Sequence, residues 1–121
     1  MRRDNNFDLE ERTTDFAKRV IRLCCALPKN SINSRLTGQA SGSAGSVGAN
    51  YREANDSLGE KDFVFRLKIA RKEAKEVIHW LELIEIANPE FSSRMQNLKQ
   101  EANELKCILS VIITKTENKN K

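Results

Sequence analysis

The stretch from Thr37 to Ala54, TGQASGSAGSVGANYREA, constrains the fold more than any other part of the chain. Its Gly, Ser and Ala content is typical of a flexible linker between two helical halves. Its spacing is typical of a helix, because residues recur at intervals of three and four, the period of one helical side. These residues are Ile32, Leu36, Ala40, Ser43, Val47, Asn50 and Ala54. We favour the helix, because a linker does not explain why Leu36, Val47 and Tyr51 lie in register with the glycines.

The glycines make this helix dependent on tertiary contacts. Gly38, Gly42, Gly45 and Gly48 each cost up to ~1 kcal/mol relative to alanine inside a helix. Small residues let a neighbouring backbone come close, and dispersion contacts then replace the missing side chains. We therefore expect another helix of the bundle, or another subunit, to press on this face.

The other apolar residues predict three further helices. We expect helices over residues 8–27, 31–56, 60–87 and 90–114, followed by a disordered polar tail over 115–121. The expected caps are Asp8, Asn30 or Ser31, the pair Ser57 and Glu60, and Asn88 before Pro89. Pro28 should end the first helix, because it cannot donate to the helical ladder. Four helices joined by short turns predict an all-α, antiparallel up-down-up-down four-helix bundle.

The third helix has the clearest apolar pattern. One side carries Phe63, Leu67, Ala70, Ala74, Val77, Leu81 and Ile84. An adjoining side carries Ile69, Trp80 and Leu83, and two apolar sides indicate burial beyond a single partner helix. The first helix has a comparable stripe of Leu9, Phe16, Val20, Leu23 and Leu27, and the fourth has Phe91, Met95, Leu98, Ala102, Leu105, Leu109 and Ile112.

Length and composition indicate one domain in the cytoplasm. A chain of 121 residues with 39% apolar and 31% charged residues can bury a core without disulfides or metal. The N-terminal residues have no apolar run of signal-peptide length, and no window approaches a membrane span. We expect Cys24, Cys25 and Cys107 to be small buried hydrophobes in a reducing cell, since they form neither a disulfide framework nor a zinc site.

The sequence gives no support for catalysis. Glu76 and His79 form an E-x-x-H pair, which di-iron bundles use twice, but His79 is the one histidine of the chain. No serine or cysteine has a partner histidine at motif spacing, and the glycines do not form a phosphate loop. We therefore expect a protein that is not an enzyme and that takes no metal, no cofactor and no small-molecule substrate.

Several motifs resemble a known bacterial family. They are LPK at 27–29, SVGANYREA at 46–54, KDFVFRLKIARKEAKE at 61–76 and WLEL at 80–83. In this order and spacing they resemble the 23S ribosomal RNA intervening-sequence protein family of small four-helix bundles, some of which are encoded inside large-subunit ribosomal RNA genes. The resemblance covers about residues 8–110. This sequence departs from the usual family pattern in having more glycine in the second helix and in having Gly59 where a serine cap is common.

The resemblance implies three properties that periodicity does not. The Gly/Ser stretch should be helical. The chain should assemble with itself into a ring, a pentamer. The family also resembles the accessory protein of diversity-generating retroelements, a basic bundle ring thought to bind a reverse transcriptase and nucleic acid.

Asn50, Tyr51, Arg52 and Glu53 are the strongest candidates for a structural or interface site. In the structural interpretation, Asn50 and Tyr51 form hydrogen bonds between helices, while Arg52 and Glu53 pair with neighbours or with the next subunit. In the functional interpretation, Arg52 lies on a phosphate-binding surface. We favour the structural interpretation, and we interpret Trp80 as a packing residue in the same way.

Two basic runs are the candidate nucleic-acid surface. The candidate residues are Lys18, Arg19 and Arg22 in the first run and Arg66, Lys68, Arg71, Lys72 and Lys75 in the second. The alternative is that both runs are solvated helix faces with pairs such as Lys72 and Glu76. An antiparallel bundle should place the runs toward opposite ends. With a net charge of +4, the leading hypothesis is RNA binding of low specificity, and the second is a protein-interaction scaffold that binds no nucleic acid.

Overall fold

Four α-helices joined by short turns make up the part of the chain that the structure describes. The computed structural model covers the backbone of residues 2–119 and the side chains of residues 9–119. The helices are α1 (Arg2–Ala26), α2 (Ser31–Asn55), α3 (Glu60–Ala87) and α4 (Ser92–Lys119), with a 3₁₀ turn at Pro89–Phe91 before α4. Residues 2–119 contain no strand. The predicted all-α four-helix bundle is confirmed.

Each helix contacts the next one in the chain, and α4 returns to contact α1. The contact between α2 and α3 is the most extensive, and that between α1 and α4 is the least extensive. The predicted stripes of α1 and α3 supply much of the core. On α1, Phe16, Val20 and Leu23 are buried, and on α3, Leu67, Leu81 and Ile84 are buried. On α4 the last core residue is Ile113, whereas the predicted Ile112 is half-buried.

α2 is continuous through all of its glycines, as the helical interpretation required. Its predicted stripe is only partly right, because Ile32 is 59% exposed and Leu36 and Asn50 are half-buried. The residues that do face the core are Asn33, Ala40, Ser43, Ala44, Val47, Gly48, Tyr51 and Ala54. The buried side of α2 is therefore rotated slightly from the predicted one.

The glycines of α2 divide into two kinds. A Cβ atom added at Gly48 would lie 2.9 Å from Thr13 Oγ1 and 3.3 Å from Thr13 Cβ, so α1 and α2 approach closely there. A Cβ atom added at Gly38, Gly42 or Gly45 would have nothing within 4 Å. We expected another helix of the bundle to pack closely against the glycines of α2. This is right at Gly48 and wrong at Gly38, Gly42 and Gly45. That another subunit covers them stays a prediction.

The helix ends differ from the predicted ones in three places. α1 begins at Arg2, so Asp8 lies inside the helix and does not cap it; its side chain is outside the described residues. α3 is preceded by Gly59 with no side-chain cap, so the predicted capping box of Ser57 and Glu60 is wrong. α4 continues to Lys119, so the disordered tail is wrong for 115–119, and residues 120 and 121 lie outside the described part.

Two buried asparagines connect the start of α2 to the end of α3. The Nδ2 of each amide donates to the Oδ1 of the other, at 3.0 Å from Asn33 and 2.8 Å from Asn88. Asn33 also donates to the carbonyl of Pro28, and Asn88 to that of Ile84. Asn88 therefore does not cap the next helix as predicted. Asn30 is the predicted cap that is confirmed, because its Oδ1 accepts from the backbone N–H of Asn33 at 2.8 Å.

Candidate nucleic-acid interface

The basic run on α1 is exposed to solvent. Lys18, Arg19 and Arg22 all lie on the surface, because the core-facing positions of this part of α1 are taken by Phe16, Val20 and Leu23. Within residues 9–119, none of the three cations has a hydrogen bond or ion pair with a neighbouring side chain. Their charge is therefore available to an external anion.

The basic run on α3 is partly neutralised. Lys68 Nζ lies 3.0 Å from Glu117 Oε2 of α4, and Arg66 Nε lies 3.9 Å from Asp62 Oδ1 one turn earlier. Arg71 donates to Ser110 Oγ of α4 at 3.3 Å. Lys72 and Lys75 are exposed and have no side-chain partner in the described part. This run therefore has two free cations out of five.

The two basic runs lie toward opposite ends of the bundle, as predicted from the antiparallel order. Arg19 and Arg22 line a cleft with Arg94 and Asn97, near the start of α4. Lys68 contacts Glu117, close to the end of the same helix. The side chains of residues 9–119 therefore present two separate basic surfaces.

Arg94 joins the first basic surface, although sequence reasoning missed it. It lies in the first turn of α4, and its guanidinium carbon sits 5.9 Å from the ring centroid of Phe91. In the sequence it is an isolated cation between Ser93 and Met95, so no local pattern connects it to Arg19 and Arg22. Only the antiparallel packing of α1 and α4 brings the three arginines together.

The α4 carboxylates near this surface are already paired, whereas Glu11 and Asp15 of α1, which line an adjoining cleft with Arg19, have no ion pair in the described range. Arg12 of α1 binds Glu101 through Nε at 2.7 Å and through Nη2 at 2.9 Å, and it also binds Glu104 at 2.7 Å. The hydrogen bonds to Glu101 raise the pKa of Arg12 above its ordinary value. These contacts link α1 to α4 where their shared surface is small, and they leave the two carboxylates with less negative charge for other cations.

Glu85 forms a second paired site at the turn between α3 and α4. Its Oε2 accepts from Ser92 Oγ at 2.5 Å and from Gln96 at 2.9 Å, and its Oε1 contacts Lys99 Nζ at 2.9 Å. The hydrogen bond from Ser92, followed by those from Lys99 and Gln96, lowers the pKa of Glu85 to about 2. Glu85 therefore stays ionised in the folded chain well below its ordinary range.

The residues of the NYRE motif have separate roles. Arg52 Nη1 lies 3.0 Å from Glu10 Oε1, and its Nη2 donates to Thr14 Oγ1 at 3.1 Å. Asn50 donates to the carbonyl of Ser46 in its own helix and not across helices as the structural interpretation expected. Tyr51 is buried in the core, and Glu53 is exposed. Arg52 thus holds α2 to α1 and is not an unoccupied phosphate contact.

Trp80 is half-buried and packs against the core. Its ring lies edge-on to that of His79, with centroids 4.9 Å apart. His79 is exposed, and residues 9–119 contain no group of three or more His, Cys, Asp or Glu side chains that could hold a metal ion.

The cysteines are less buried than expected. Cys25 and Cys107 are exposed, so the interpretation of all three as buried hydrophobes is wrong for these two. Cys24 is half-buried, and burial, followed by the neighbouring Cys25, raises the pKa of its thiol to about 11. Cys24 is therefore a weak nucleophile at neutral pH, because the thiolate is the reactive form.

Large apolar side chains remain on the outer side of α3. Phe65 is 57% exposed and Ile86 is 83% exposed, and Leu83 is also on the surface. Their spacing of 18 and 3 residues places them on one side of the helix. Near the turn between α2 and α3, a cleft of about 840 Å³ is lined by further apolar groups, among them Leu9, Phe63, Ile108 and Ile112. Both features are surfaces on which an apolar segment can pack.

No helix in the described range is at once long enough and apolar enough to cross a bilayer.

The fold and the surface together define a small helical bundle with separate cationic patches. Residues 5–111 match the family described as 23S rRNA-intervening sequence protein, so the chain belongs to that family. A solved structure from Bacteroides thetaiotaomicron, described as a protein with unknown function from the S23 ribosomal protein family, is 28% identical in sequence. The match covers 90% of this chain and 97% of that one, with a TM-score of 0.79. No curated protein sequence matches this chain.

Proposed function

We propose that this chain is a non-enzymatic cytoplasmic bundle protein that assembles with itself and binds RNA through its exposed cations. The observation that carries the proposal is the α1 surface, where Lys18, Arg19 and Arg22 have no acidic partner among the described residues. Family membership adds a link to ribosomal RNA through the family's name. On α3, Lys72 and Lys75 are free to contribute, whereas Arg66, Lys68 and Arg71 must first leave their intramolecular partners.

The expected binding is of low sequence specificity. Lysine and arginine side chains neutralise phosphates and release counterions, so affinity should fall steeply with salt. Within residues 9–119, Trp80 and Tyr51 pack into the bundle, and the half-buried ring of Phe91 already lies against the guanidinium of Arg94, so we expect no base stacking on this surface. Contacts to phosphate without contacts to bases position a protein on RNA but do not read its sequence.

Self-assembly is supported by the outer face of α2. Gly38, Gly42 and Gly45 have open space around them, and the helix lacks the side chains that would otherwise stabilise it. A second copy packing on this face would provide the missing contacts. The family resemblance makes a pentameric ring the expected assembly, and such a ring would repeat each basic patch around its axis.

RNA binding can be tested by fluorescence anisotropy with a labelled structured RNA, titrated at several salt concentrations. The proposal expects saturable binding at low salt and a linear fall of log affinity with log salt, with a slope of roughly −0.7 to −0.9 per phosphate contact. Absence of binding at the lowest salt would overturn the RNA part. Light scattering at rising protein concentration tests assembly, and a strict monomer would overturn that part.

A protein-interaction scaffold is the second candidate. It is favoured by Leu83 and Ile86, which are both exposed and lie three residues apart near the end of α3, whereas the exposed Phe65 lies roughly 27 Å away along the same helix. In that case the charge serves solubility. An assembled protein that does not bind RNA at low salt would support the scaffold over the RNA-binding function.

A further inference from the structure

A single cleft gathers three arginines from two helices. Arg19 and Arg22 are three residues apart on α1, and Arg94 comes from the first turn of the antiparallel α4. With Asn97 and Leu98 they line a cleft of about 210 Å³. Residues three apart on a helix share one side, so the two α1 arginines point to the same region.

The three charges have no ion-pair partner in the described chain, although Glu11 and Asp15 of α1 line an adjoining cleft with Arg19. No carboxylate within residues 9–119 forms an ion pair with Arg19, Arg22 or Arg94. The nearby acids of α4 are engaged elsewhere, since Glu101 and Glu104 bind Arg12. Like charges brought together in one cleft repel one another, so an anion bound among them would lower the free energy of the folded chain.

The side chains that line the cleft suit a phosphate oxyanion chemically. Guanidinium groups present forked N–H donors that match phosphate oxygens, which a lysine cannot do. Arg94 is positioned by the ring of Phe91, and the amide of Asn97 adds a further donor one turn along α4. Leu98, which is 4% exposed, supplies an apolar wall that keeps part of the cleft away from bulk water.

We infer that the cleft between α1 and α4 formed by Arg19, Arg22, Arg94 and Asn97 binds one phosphate group of an RNA backbone. The inference rests on the proposed function and locates the strongest contact in it. It also adds Arg94 and Asn97 of α4 to the predicted RNA-binding residues, and it assigns the basic run on α3 a minor share of the RNA affinity. The same chemistry would accept a free phosphate ion, and the test separates the two sources.

The first arm compares two triple variants with the same change in charge. One removes the arginine cleft (Arg19→Gln, Arg22→Gln, Arg94→Gln), and the control removes three lysines outside it (Lys61→Gln, Lys106→Gln, Lys115→Gln). RNA affinity at low salt should fall about tenfold or more in the cleft variant, as expected for lost charge-assisted contacts. The control should lose affinity less than about threefold, since it changes only the general field. Circular dichroism checks that both variants remain helical.

The outcome distinguishes the two proposals. If the wild-type chain binds RNA and the cleft variant loses no more affinity than the control, the cleft inference is overturned and the RNA-binding function stands. If the wild-type chain binds no RNA, the proposed function falls, and RNA is overturned as the source of the phosphate.

The second arm uses inorganic phosphate and thermal unfolding. Phosphate at millimolar concentration should raise the Tm of the wild-type chain and of the control, because a ligand that binds only the folded state stabilises it. The cleft variant should show no such rise. An Arg→Lys triple variant at the same positions should lose most of the rise while keeping the charge, because lysine lacks the planar fork. An equal rise in all four proteins would overturn a specific phosphate site.

Discussion

The small residues of α2 have different structural effects on its inner and outer faces. On the inner face, Gly48 allows α1 to come so close that Thr13 occupies the space of a side chain. On the outer face, Gly38, Gly42 and Gly45 have nothing around them in the described chain. No described glycine has a positive φ, so the backbone conformation requires glycine on neither face. Glycine is therefore required for packing at one position of α2 and is an uncompensated cost to helix stability a few residues away.

The largest effect is expected at Asn33, which begins the inner face. Asn33→Ala removes the partner of Asn88 and leaves a buried amide oxygen without its donor. An unsatisfied buried polar group costs about 1–3 kcal/mol, and the lost bond to the Pro28 carbonyl adds to it, so we expect a loss of about 2–3 kcal/mol. Urea unfolding measures the change, with the exposed Asn103→Ala as the control. A loss as small as the control's would mean that the asparagine pair does not hold the turn.

The next effect separates the two faces directly. Gly48→Ala places a Cβ atom 2.9 Å from Thr13 Oγ1, whose side chain is fully buried and bonded to the Glu10 carbonyl. Overpacking of this kind costs about 1–3 kcal/mol, and the better helix propensity of alanine offsets up to about 1 kcal/mol of it, so we expect a net loss of up to about 2 kcal/mol. The double variant Gly48→Ala with Thr13→Ala should recover part of the loss, because it removes the 2.9 Å contact with Thr13 Oγ1 and keeps only the 3.3 Å contact with Thr13 Cβ. If Gly48→Ala raises the urea midpoint as much as Gly45→Ala does, the close approach of α1 and α2 is wrong.

A change of opposite sign is expected on the outer face. Gly45→Ala should raise the free energy of unfolding by up to about 1 kcal/mol, because alanine has the better helix propensity and open space surrounds the site. The measurement is made on dilute protein, where any assembly is dissociated. A lower stability would show that another group lies against Gly45. At higher concentration, weaker assembly of the same variant in light scattering would place a second copy on this face.

The smallest effect concerns Glu85, beside the turn that the inner-face asparagine pair holds. Its pKa is about 2 in the folded chain, against an ordinary value of 4.5. A lowered pKa contributes stability above the ordinary value, and that contribution is lost as the pH falls toward the folded value. The difference in Tm between the wild-type chain and Glu85→Gln should therefore be constant at neutral pH and shrink as the pH falls from 4.5 to 2. A difference that does not change with pH would show that Glu85 acts through packing alone.

The sequence predicted the elements whose apolar residues are large. Phe16, Leu67 and Leu81 fix the inner sides of α1 and α3, because large side chains at intervals of three and four leave one way to bury them. The rotation of α2 was not predictable in the same way, since Gly, Ser and Ala carry little burial preference. Hence Ile32 was expected inside and is exposed, whereas Asn33 is buried.

Long-range contacts explain what the sequence missed elsewhere. The last turns of α4 have no apolar period, but Lys68 pairs with Glu117, and Lys119 Nζ lies 3.7 Å from Glu60 Oε2. Such partners lie about 50 to 60 residues apart in the chain and have no local signature. The sequence predicted only part of the candidate nucleic-acid surface. Arg19 and Arg22 belong to a basic run that is visible in the sequence, but Arg94 joins them only through the packing of α1 on α4.

Because the outer side of α2 carries few side chains, hydrogen exchange along this helix can also detect a molecule that binds there. Where side chains are missing, water reaches the peptide groups directly, and amide hydrogens near Gly42 should exchange with solvent deuterium faster than those near Val47. Any molecule that binds to that side will slow amide exchange there, so binding can be detected without knowing which molecule binds. Deuterium uptake along one helix can thus follow the arrival of a partner, whether that partner is a second copy of the chain or a different molecule.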